Sequence, residues 1–232
     1  MPQPHTLHNF DEALTNLRNT VLMMASLTER SLENAMNGLF QRDSDRCNVV
    51  IADDEEIDAL EKVVDKDGYD VLIRYQPVAS DFRQVIATMK LSNNLERVGD
   101  AAVNIARRAK KLNVHPPLPE VKTLEPMYEE AKAMLKDSLR AFTDGDMEIA
   151  SELKPRDKQL DRINKEIADQ LTEAMPKQPD QLRGYLNLIF IARALERVGD
   201  HATNIAEDAI FATSAQDIRH MHPAAADSTP GG

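Results

Sequence analysis

The stretch LERVGDAAVNIARRA (95–109) returns as LERVGDHATNIAEDA (195–209), with identity at eleven of fifteen positions. A fixed internal period indicates that a chain is built from copies of one structural unit. The 232 residues therefore divide into two units of roughly one hundred residues each, a common domain size. The retained residues include Glu, Asp and Asn, which core packing alone has no reason to keep at one register. The repeat thus predicts two equivalent units that carry the same polar feature.

Apolar residues recur at helical spacing through both units, and no window alternates with the period of two that is typical of strands. The pattern predicts helices in six segments: 7–41, 45–75, 78–112, 122–143, 146–175 and 180–213. Breaks between them fall at Asp43, which can cap the helix that follows it, and at Pro77 and Pro176 to Pro179, because proline disfavours helical geometry in the residue before it.

The six segments predict an all-α fold of two tandem, pseudo-symmetric, antiparallel three-helix bundles. The first bundle is expected at 7–112 and the second at 122–213. A proline-rich linker at 113–121 separates them, since four prolines crowd into this part of the chain and just beyond it. The tail at 214–232 is rich in Ala, His, Pro and Gly, and we expect it to be disordered.

The composition limits the classes of function. The net charge is −11, which argues against sequence-independent binding to nucleic acid, because such binding needs a basic surface. Cys47 is the single cysteine, so no internal disulfide can form, as is usual in a reducing compartment. The N-terminus lacks the features of a secretory signal, and the most apolar stretch, 185–195, is too short to span a bilayer. These features predict a cytoplasmic protein.

The repeated acids occupy one face of their helix. At about 100° per residue, Glu96, Asp100 and Asn104 lie within roughly 80° of one another and nearly opposite the apolar stripe. Gly99 lies beside them, and its lack of a side chain would let an ion or partner approach the backbone. The preceding helix of each unit carries a D-x-x-x-D pair, Asp54 with Asp58 and Asp157 with Asp161.

If the second and third helices of a bundle are adjacent, these acids face one another across an outer groove. Clustered carboxylate and amide oxygens suit Mg²⁺, Mn²⁺ or iron, and a bound cation would relieve their mutual repulsion. His201, which follows Asp200, adds Zn²⁺ to the candidate metals, although a surface histidine needs no such role. The simpler alternative for the acids is a solvated acidic helix face.

The doubled LERVGDxAxNIA motif resembles the signature of the PhoU family, accessory and regulatory proteins of phosphate transport. The segment MMASLTERSLENAM (23–36) resembles that family's first helix, and RYQPVASDFR (74–83) resembles its corner between the second and third helices. The resemblance spans residues 7–213. The second-unit corner, 178–183, lacks the fuller pattern, so we do not expect a partner contact at the first corner to be duplicated.

The resemblance implies paired three-helix bundles, frequent homodimers, and metal ions held on E/D-x-x-x-D motifs. The positions that match such motifs are ten side chains: Asp54, Asp58, Glu96, Asp100, Asn104, Asp157, Asp161, Glu196, Asp200 and Asn204. It also implies a non-enzymatic regulator that restrains phosphate uptake and phosphate-starvation signalling. Its implied partners are the ATPase of the phosphate ABC transporter and a membrane-bound sensor histidine kinase, which would place the protein at the inner membrane only through those contacts.

Two other classes of function stay open on the sequence alone. Clustered carboxylates with a metal could support hydrolysis of a phosphorylated compound. A helical coat or chaperone-like module would need no metal at all. A di-iron carboxylate enzyme is disfavoured because no Glu is followed three residues later by His, and neither a P-loop nor a nucleophile elbow is present.

Overall fold

The computed structural model describes residues 4–214, and the side chains of residues 8–214. Residues 4–214 form six α-helices: α1 Pro4–Phe40, α2 Ser44–Tyr75, α3 Ala79–Asn113, α4 Glu125–Asp144, α5 Met147–Ala174 and α6 Leu182–Ser214. The part of the chain described contains no strand. The expected all-α fold is confirmed: α1, α2 and α3 form one antiparallel three-helix bundle, and α4, α5 and α6 form the other. The expected tail falls outside the described residues, except that Ser214 ends α6.

The helix ends follow from local chemistry. Asp43 caps α2, since its side chain accepts hydrogen bonds from the backbone N–H groups of Asp45 and Arg46. Asp146 caps α5 in the same way. Such caps satisfy backbone donors that a helix start leaves free, typically worth about 1 kcal/mol. Gln76 ends α2 in a left-handed conformation with φ of 47°, directly before Pro77.

The proline-rich segment between the bundles is partly structured. After α3 ends at Asn113, the chain forms a 3-10 helix over Pro119–Leu124 that leads directly into α4. Leu118 and Leu124 are buried there, and the Tyr185 hydroxyl lies 3.2 Å from Glu120 Oε1. Two further 3-10 turns, Met175–Lys177 and Pro179–Gln181, separate α5 from α6 at the prolines that predicted the break.

Each bundle has an aliphatic core. Leu17, Val21, Met24 and Leu95 are almost fully buried in the first, as are Met127, Met134, Leu160 and Leu195 in the second. Burial of a side chain of this kind stabilises the fold by about 1.5–3 kcal/mol. Within residues 8–214 the aromatic rings are few, so Leu, Ile, Val, Met and Ala fill the space between the helices.

The bundles pack against each other through the two helices that carry the repeated motif. Along this α3–α6 seam, Lys90 pairs with Asp208 at 2.8 Å, Asn94 contacts His201, and Arg108 contacts Asn187. As the residue number increases along α3, the number of its partner on α6 decreases, so the two helices are antiparallel. With a repeat offset of one hundred residues, the register of these pairs places the crossing of the two helices near Arg97 and its own equivalent, Arg197.

None of the helices in the described part of the chain is long and apolar enough to cross a membrane.

Candidate functional site

Each bundle brings its two acidic motifs to one place. The first carboxylate patch consists of Asp54 and Asp58 from α2 with Glu96 and Asp100 from α3. The second carboxylate patch consists of Asp157 and Asp161 from α5 with Glu196 and Asp200 from α6. The side chains within a patch are close enough for the charge of one to raise the pKa of another, as Asp100 does for Asp54 and Asp200 does for Asp157. The expected meeting of the two helices' acids is therefore present in both units.

The glycine of the motif has a different role from the expected one. Gly99 and Gly199 are buried, and they face the neighbouring helix rather than open space. A Cβ added at Gly99 would lie 3.3 Å from Ile57 Cδ1 and 3.9 Å from Asp54 Oδ1. The missing side chain thus lets α2 pack closely on α3, and that close packing draws the aspartate of one helix towards the acids of the other. The expectation of direct backbone access for an ion is wrong for this reason.

The acids of each patch differ in exposure. The Asp100 side chain is 52% exposed, as expected for a residue on the outer face, whereas the Glu96 side chain is only 17% exposed. Asp157 is also partly buried. Glu96 and Asp157 lie where two helices of a bundle meet, which the angular position on a single helix cannot reveal. The outward projection predicted for the repeated acids is thus correct for Asp100 and only partial for Glu96.

Two carboxylate oxygens in these patches are buried without a hydrogen-bond donor, Glu96 Oε2 and Asp157 Oδ1. Arg97 Nε lies 3.2 Å from Glu96 Oε2 as an ion pair without forming a hydrogen bond. A buried carboxylate oxygen without a donor is costly, because its lost hydration is not replaced. Each of these oxygens can therefore accept a hydrogen bond or bind a cation.

The pKa values of Glu96, Glu196 and Asp157 are raised. Burial, and then repulsion from Asp100, raises the pKa of Glu96, while burial and then Asp200 raise the pKa of Glu196. Asp157 is the most strongly affected residue: burial, then Asp200 and Asp161, raise its pKa to about 6. A bound cation would oppose this, since it favours the charged form.

The asparagines lie beside the patches. Asn104 is exposed, and its amide nitrogen donates to the Asp100 carbonyl of its own helix at 3.0 Å. This bond leaves the amide oxygen available as a possible ligand. Asn204 is also exposed and lines a groove together with Asp157, Asp200 and His201.

His201 belongs to the seam between the bundles. Its Nδ1 lies 3.0 Å from Asn94 Oδ1 on the opposite helix. Burial, and then the charges of Arg97 and Arg197, lower its pKa. The imidazole is therefore neutral, and its contact with Asn94 links the two bundles.

Within residues 8–214 no group of three or more His, Cys, Asp or Glu side chains is converged enough to hold a metal ion. The residue types nevertheless suit a hard cation, since each patch contains four carboxylates and one buried oxygen without a donor. The assignment of the ten predicted ligands stays a prediction.

Sequence reasoning missed one position that separates the two patches. Arg107 lowers the pKa of Asp54 in the first patch, whereas its repeat equivalent, Glu207, raises the pKa of Asp157 in the second. An alignment of the two repeats shows this exchange of Arg107 for Glu207 directly. Its importance appears only when α2 and α5 are placed against α3 and α6.

Comparison with known proteins agrees with the repeat. The sequence profile of the PhoU domain matches twice, at residues 21–109 and 124–209. The chain is 34% identical to the phosphate-specific transport system accessory protein PhoU homolog of Pseudomonas aeruginosa, covering 94% of this chain and 90% of that protein. It is 30% identical to the homolog of the same name from Xylella fastidiosa, strain 9a5c, covering 92% and 90% respectively.

Solved structures show the same architecture. The crystal structure of PhoU from Pseudomonas aeruginosa superposes with a TM-score of 0.87 at 33% identity, covering 89% of this chain and all of that one. The phosphate transport system regulatory protein PhoU from Streptococcus pneumoniae superposes with a TM-score of 0.81 at 24% identity, covering 90% and 98%, which speaks for the fold alone. With both repeats matched and relatives aligned over nearly their whole length, the chain belongs to the PhoU family.

Proposed function

We propose that this protein is a cytoplasmic, metal-binding adaptor that negatively regulates phosphate uptake and phosphate-starvation signalling. It acts by contacting the ATPase of the phosphate ABC transporter and a sensor histidine kinase, without catalysing a reaction. Family membership carries the proposal, since relatives at 30% and 34% identity are named accessory proteins of the phosphate-specific transport system. Contacts with membrane-bound partners would hold it at the inner membrane.

The structure contributes a surface suited to such contacts. At the corner between α2 and α3, four apolar side chains are exposed: Tyr69 57%, Ile73 72%, Val78 76% and Phe82 46%. Exposed apolar side chains that are close together on a soluble protein are typical of protein–protein interfaces. Ala79, at the start of α3, has a φ of 51°, which is rare for a residue with a side chain. A backbone held in this way presents Val78 and Phe82 in a fixed arrangement.

The carboxylate patches contribute the proposed metal sites. Mg²⁺, Mn²⁺, iron or Zn²⁺ would be held by Asp54, Asp58, Glu96 and Asp100 in the first patch and by the equivalent acids in the second. The unsatisfied oxygens Glu96 Oε2 and Asp157 Oδ1 support this assignment. A cation would neutralise the repulsion within each patch and fix the second helix of a bundle against the third.

The test separates partner contact from metal binding. Purified protein is assayed by pull-down against the transporter ATPase and the kinase's cytoplasmic part, at low and high phosphate. A variant with Ile73→Ser and Phe82→Ser is expected to bind at least one partner about tenfold more weakly. The matched control, Leu186→Ser, changes an apolar side chain that is 41% exposed at another place, and should bind normally. Absence of binding to both partners at every phosphate level would contradict the adaptor role.

Metal content is measured separately, by elemental analysis of the wild type beside an Asp100→Ala, Asp200→Ala variant. The wild type is expected to carry metal and the variant to lose most of it. Incubation with phosphate esters and polyphosphate belongs to the same experiment, because turnover that disappears in this variant would favour a hydrolase instead.

A further inference from the structure

A groove of about 860 Å³ runs along the α3–α6 seam, between the two carboxylate patches. Five cationic side chains line it: Arg97, Arg108, Lys154, Arg193 and Arg197. Four acidic side chains also line it, so the groove carries a small positive excess on a chain whose net charge is −11. The positive side chains are thus concentrated at one cavity of a protein that is negatively charged as a whole.

Two of these cations, Arg193 and Arg197, act on nearby acids without a direct contact. Arg108 stacks on the Phe190 ring, 4.0 Å from its centroid, and Lys154 pairs with Glu207 at 3.4 Å. In contrast, within residues 8–214 the guanidinium groups of Arg193 and Arg197 take part in no hydrogen bond or ion pair. They are four residues apart on α6, so they project from the same side of the helix.

Arginines from both helices lie near the place where the two helices cross. Arg97 and Arg197 are repeat equivalents that both line the groove, and the charges of both act on His201. Like charges that face a shared groove repel each other unless an anion lies between them. Arg97 is partly neutralised by ion pairs with Glu96 and Asp100, at 3.2 and 3.6 Å, whereas Arg197 forms no ion pair among the described residues and acts on Glu196 and Asp200 only from a longer distance.

Thr203 gives an independent indication of a ligand. It lines the groove, it is only 8% exposed, and its buried hydroxyl has no hydrogen-bond partner. The eight other threonines among residues 8–214 each donate to a carbonyl three or four residues earlier. The Thr203 hydroxyl departs from this habit, and a turn of its side chain towards the groove would bring this unpaired donor to a ligand there. Its repeat equivalent is Val103, so the packing needs the shape of the side chain but not the oxygen.

We propose that the seam groove binds a phosphate-type oxyanion, held by Arg193 and Arg197 from α6 and by the Thr203 hydroxyl, with Arg97 completing the positive wall from α3. A guanidinium presents paired N–H donors at the spacing of oxyanion oxygens, and its hydrogen bonds to phosphate are charge-assisted. A free hydroxyl adds a neutral donor. This inference goes beyond the proposed function and does not depend on either partner.

The neighbouring acids shape the expected binding. Asp100, Asp157 and Asp200 face the same groove, so in metal-free protein they weaken the attraction for an anion. A cation in a carboxylate patch would remove part of that repulsion. Binding is therefore expected to be tighter with Mg²⁺ than with EDTA, and detectable in both.

Isothermal titration calorimetry measures binding of sodium phosphate, sodium sulfate and ATP to the full-length protein, with Mg²⁺ and with EDTA. The wild type is expected to bind phosphate in the millimolar range or tighter. An Arg193→Gln, Arg197→Gln variant should bind at least tenfold more weakly. Tighter binding of phosphate than of ATP identifies the free anion as the ligand, and the reverse order identifies a nucleotide phosphate group.

Thr203→Val is the decisive variant because it copies the residue of the first unit. Loss of an unpaired hydroxyl leaves the melting temperature unchanged or higher, while anion affinity should fall about three- to tenfold. The matched control, Thr88→Val, removes a hydroxyl that donates to the Gln84 carbonyl away from the groove, and should bind like the wild type. The proposal is overturned if the wild type binds none of the three anions under either condition, or if the arginine variant binds them equally well.

Discussion

The two carboxylate patches consist of the same four residue types at equivalent positions, yet their electrostatics differ. In the first patch Arg107 offsets the repulsion that acts on Asp54. In the second patch the equivalent residue is Glu207, which adds to burial and to the other acids of the patch in raising the pKa of Asp157, to about 6. The repeated motif thus determines where the acids lie, whereas one residue that differs between the repeats, Arg107 or Glu207, changes the electrostatic repulsion within the patch.

The packing beneath the patches differs as well. A Cβ at Gly99 would meet Ile57 at 3.3 Å, a tight contact with the end of a side chain. A Cβ at Gly199 would overlap Leu160 Cδ2, and it would lie 3.4 Å from Asp157 Oδ1 and 3.6 Å from Met134 Cε. The second patch is therefore the more tightly packed and the more strongly repelling of the two, and it should respond more to substitution.

The largest expected effect is that of Asp157→Asn on stability. The folded-state pKa of Asp157, about 6, lies above its ordinary value of 3.8. The charged carboxylate therefore destabilises the fold above pH 6, and this penalty disappears as the pH falls towards 4, because the folded protein binds a proton that the unfolded chain does not. Allowing for partial exposure, we expect the variant to be about 1–2 kcal/mol more stable than the wild type at pH 7.

Urea denaturation in EDTA between pH 4 and pH 8 measures this difference. The wild type should lose stability relative to Asp157→Asn as the pH rises through 6. Asp54→Asn is the matched control, and its gain should be smaller, since Arg107 already offsets the charge on Asp54. Equal gains for both variants would show that the two patches do not differ in the proposed way.

A smaller effect is expected at the motif glycines. Alanine in place of a helical glycine gains about 0.5–1 kcal/mol of helix propensity, whereas overpacking a core position costs about 1–3 kcal/mol. Gly199→Ala should be about 1 kcal/mol less stable than the wild type, because Leu160 is fully buried and cannot move aside easily. Gly99→Ala should be nearly neutral. Chemical denaturation of both variants provides the measurement, and a larger loss for Gly99→Ala would reverse the comparison.

The smallest effect is expected at the position that distinguishes the patches. Arg107→Gln removes a cation from the first patch and should tighten its binding of Mn²⁺ about three- to tenfold. Glu207→Gln removes an anion from the second patch and should weaken its binding by a similar factor. Calorimetric titration of each variant, in a background with the other patch disabled by Asp→Ala substitution, resolves the two sites. Affinities that change in the same direction in both variants would contradict this account.

Much of the fold could be predicted from the sequence because its elements depend on local chemistry. The six helices, the Asp43 and Asp146 caps and the breaks at Pro77 and Pro179 follow from residue spacing and from the limits on proline. The repeat placed Glu96 and Asp100 at the same register as Glu196 and Asp200. It also predicted that their D-x-x-x-D partners lie across a helix pair.

The properties of the site depended on contacts between distant segments. A helical wheel describes a single helix without its neighbours, so it could not show that the Glu96 side chain is partly buried where α2 and α3 meet. Nor could it show that Gly99 and Gly199 serve close helix packing. The groove with Arg193, Arg197 and Thr203 arises only where α3 crosses α6, which no pattern within a single unit encodes.

By itself, then, the sequence determined which residues form helices and which polar side chains recur, since both are set by neighbours within a few positions. The tertiary structure decided which of those side chains interact electrostatically, because Coulomb interaction and desolvation act between atoms that folding brings together from distant segments of the sequence.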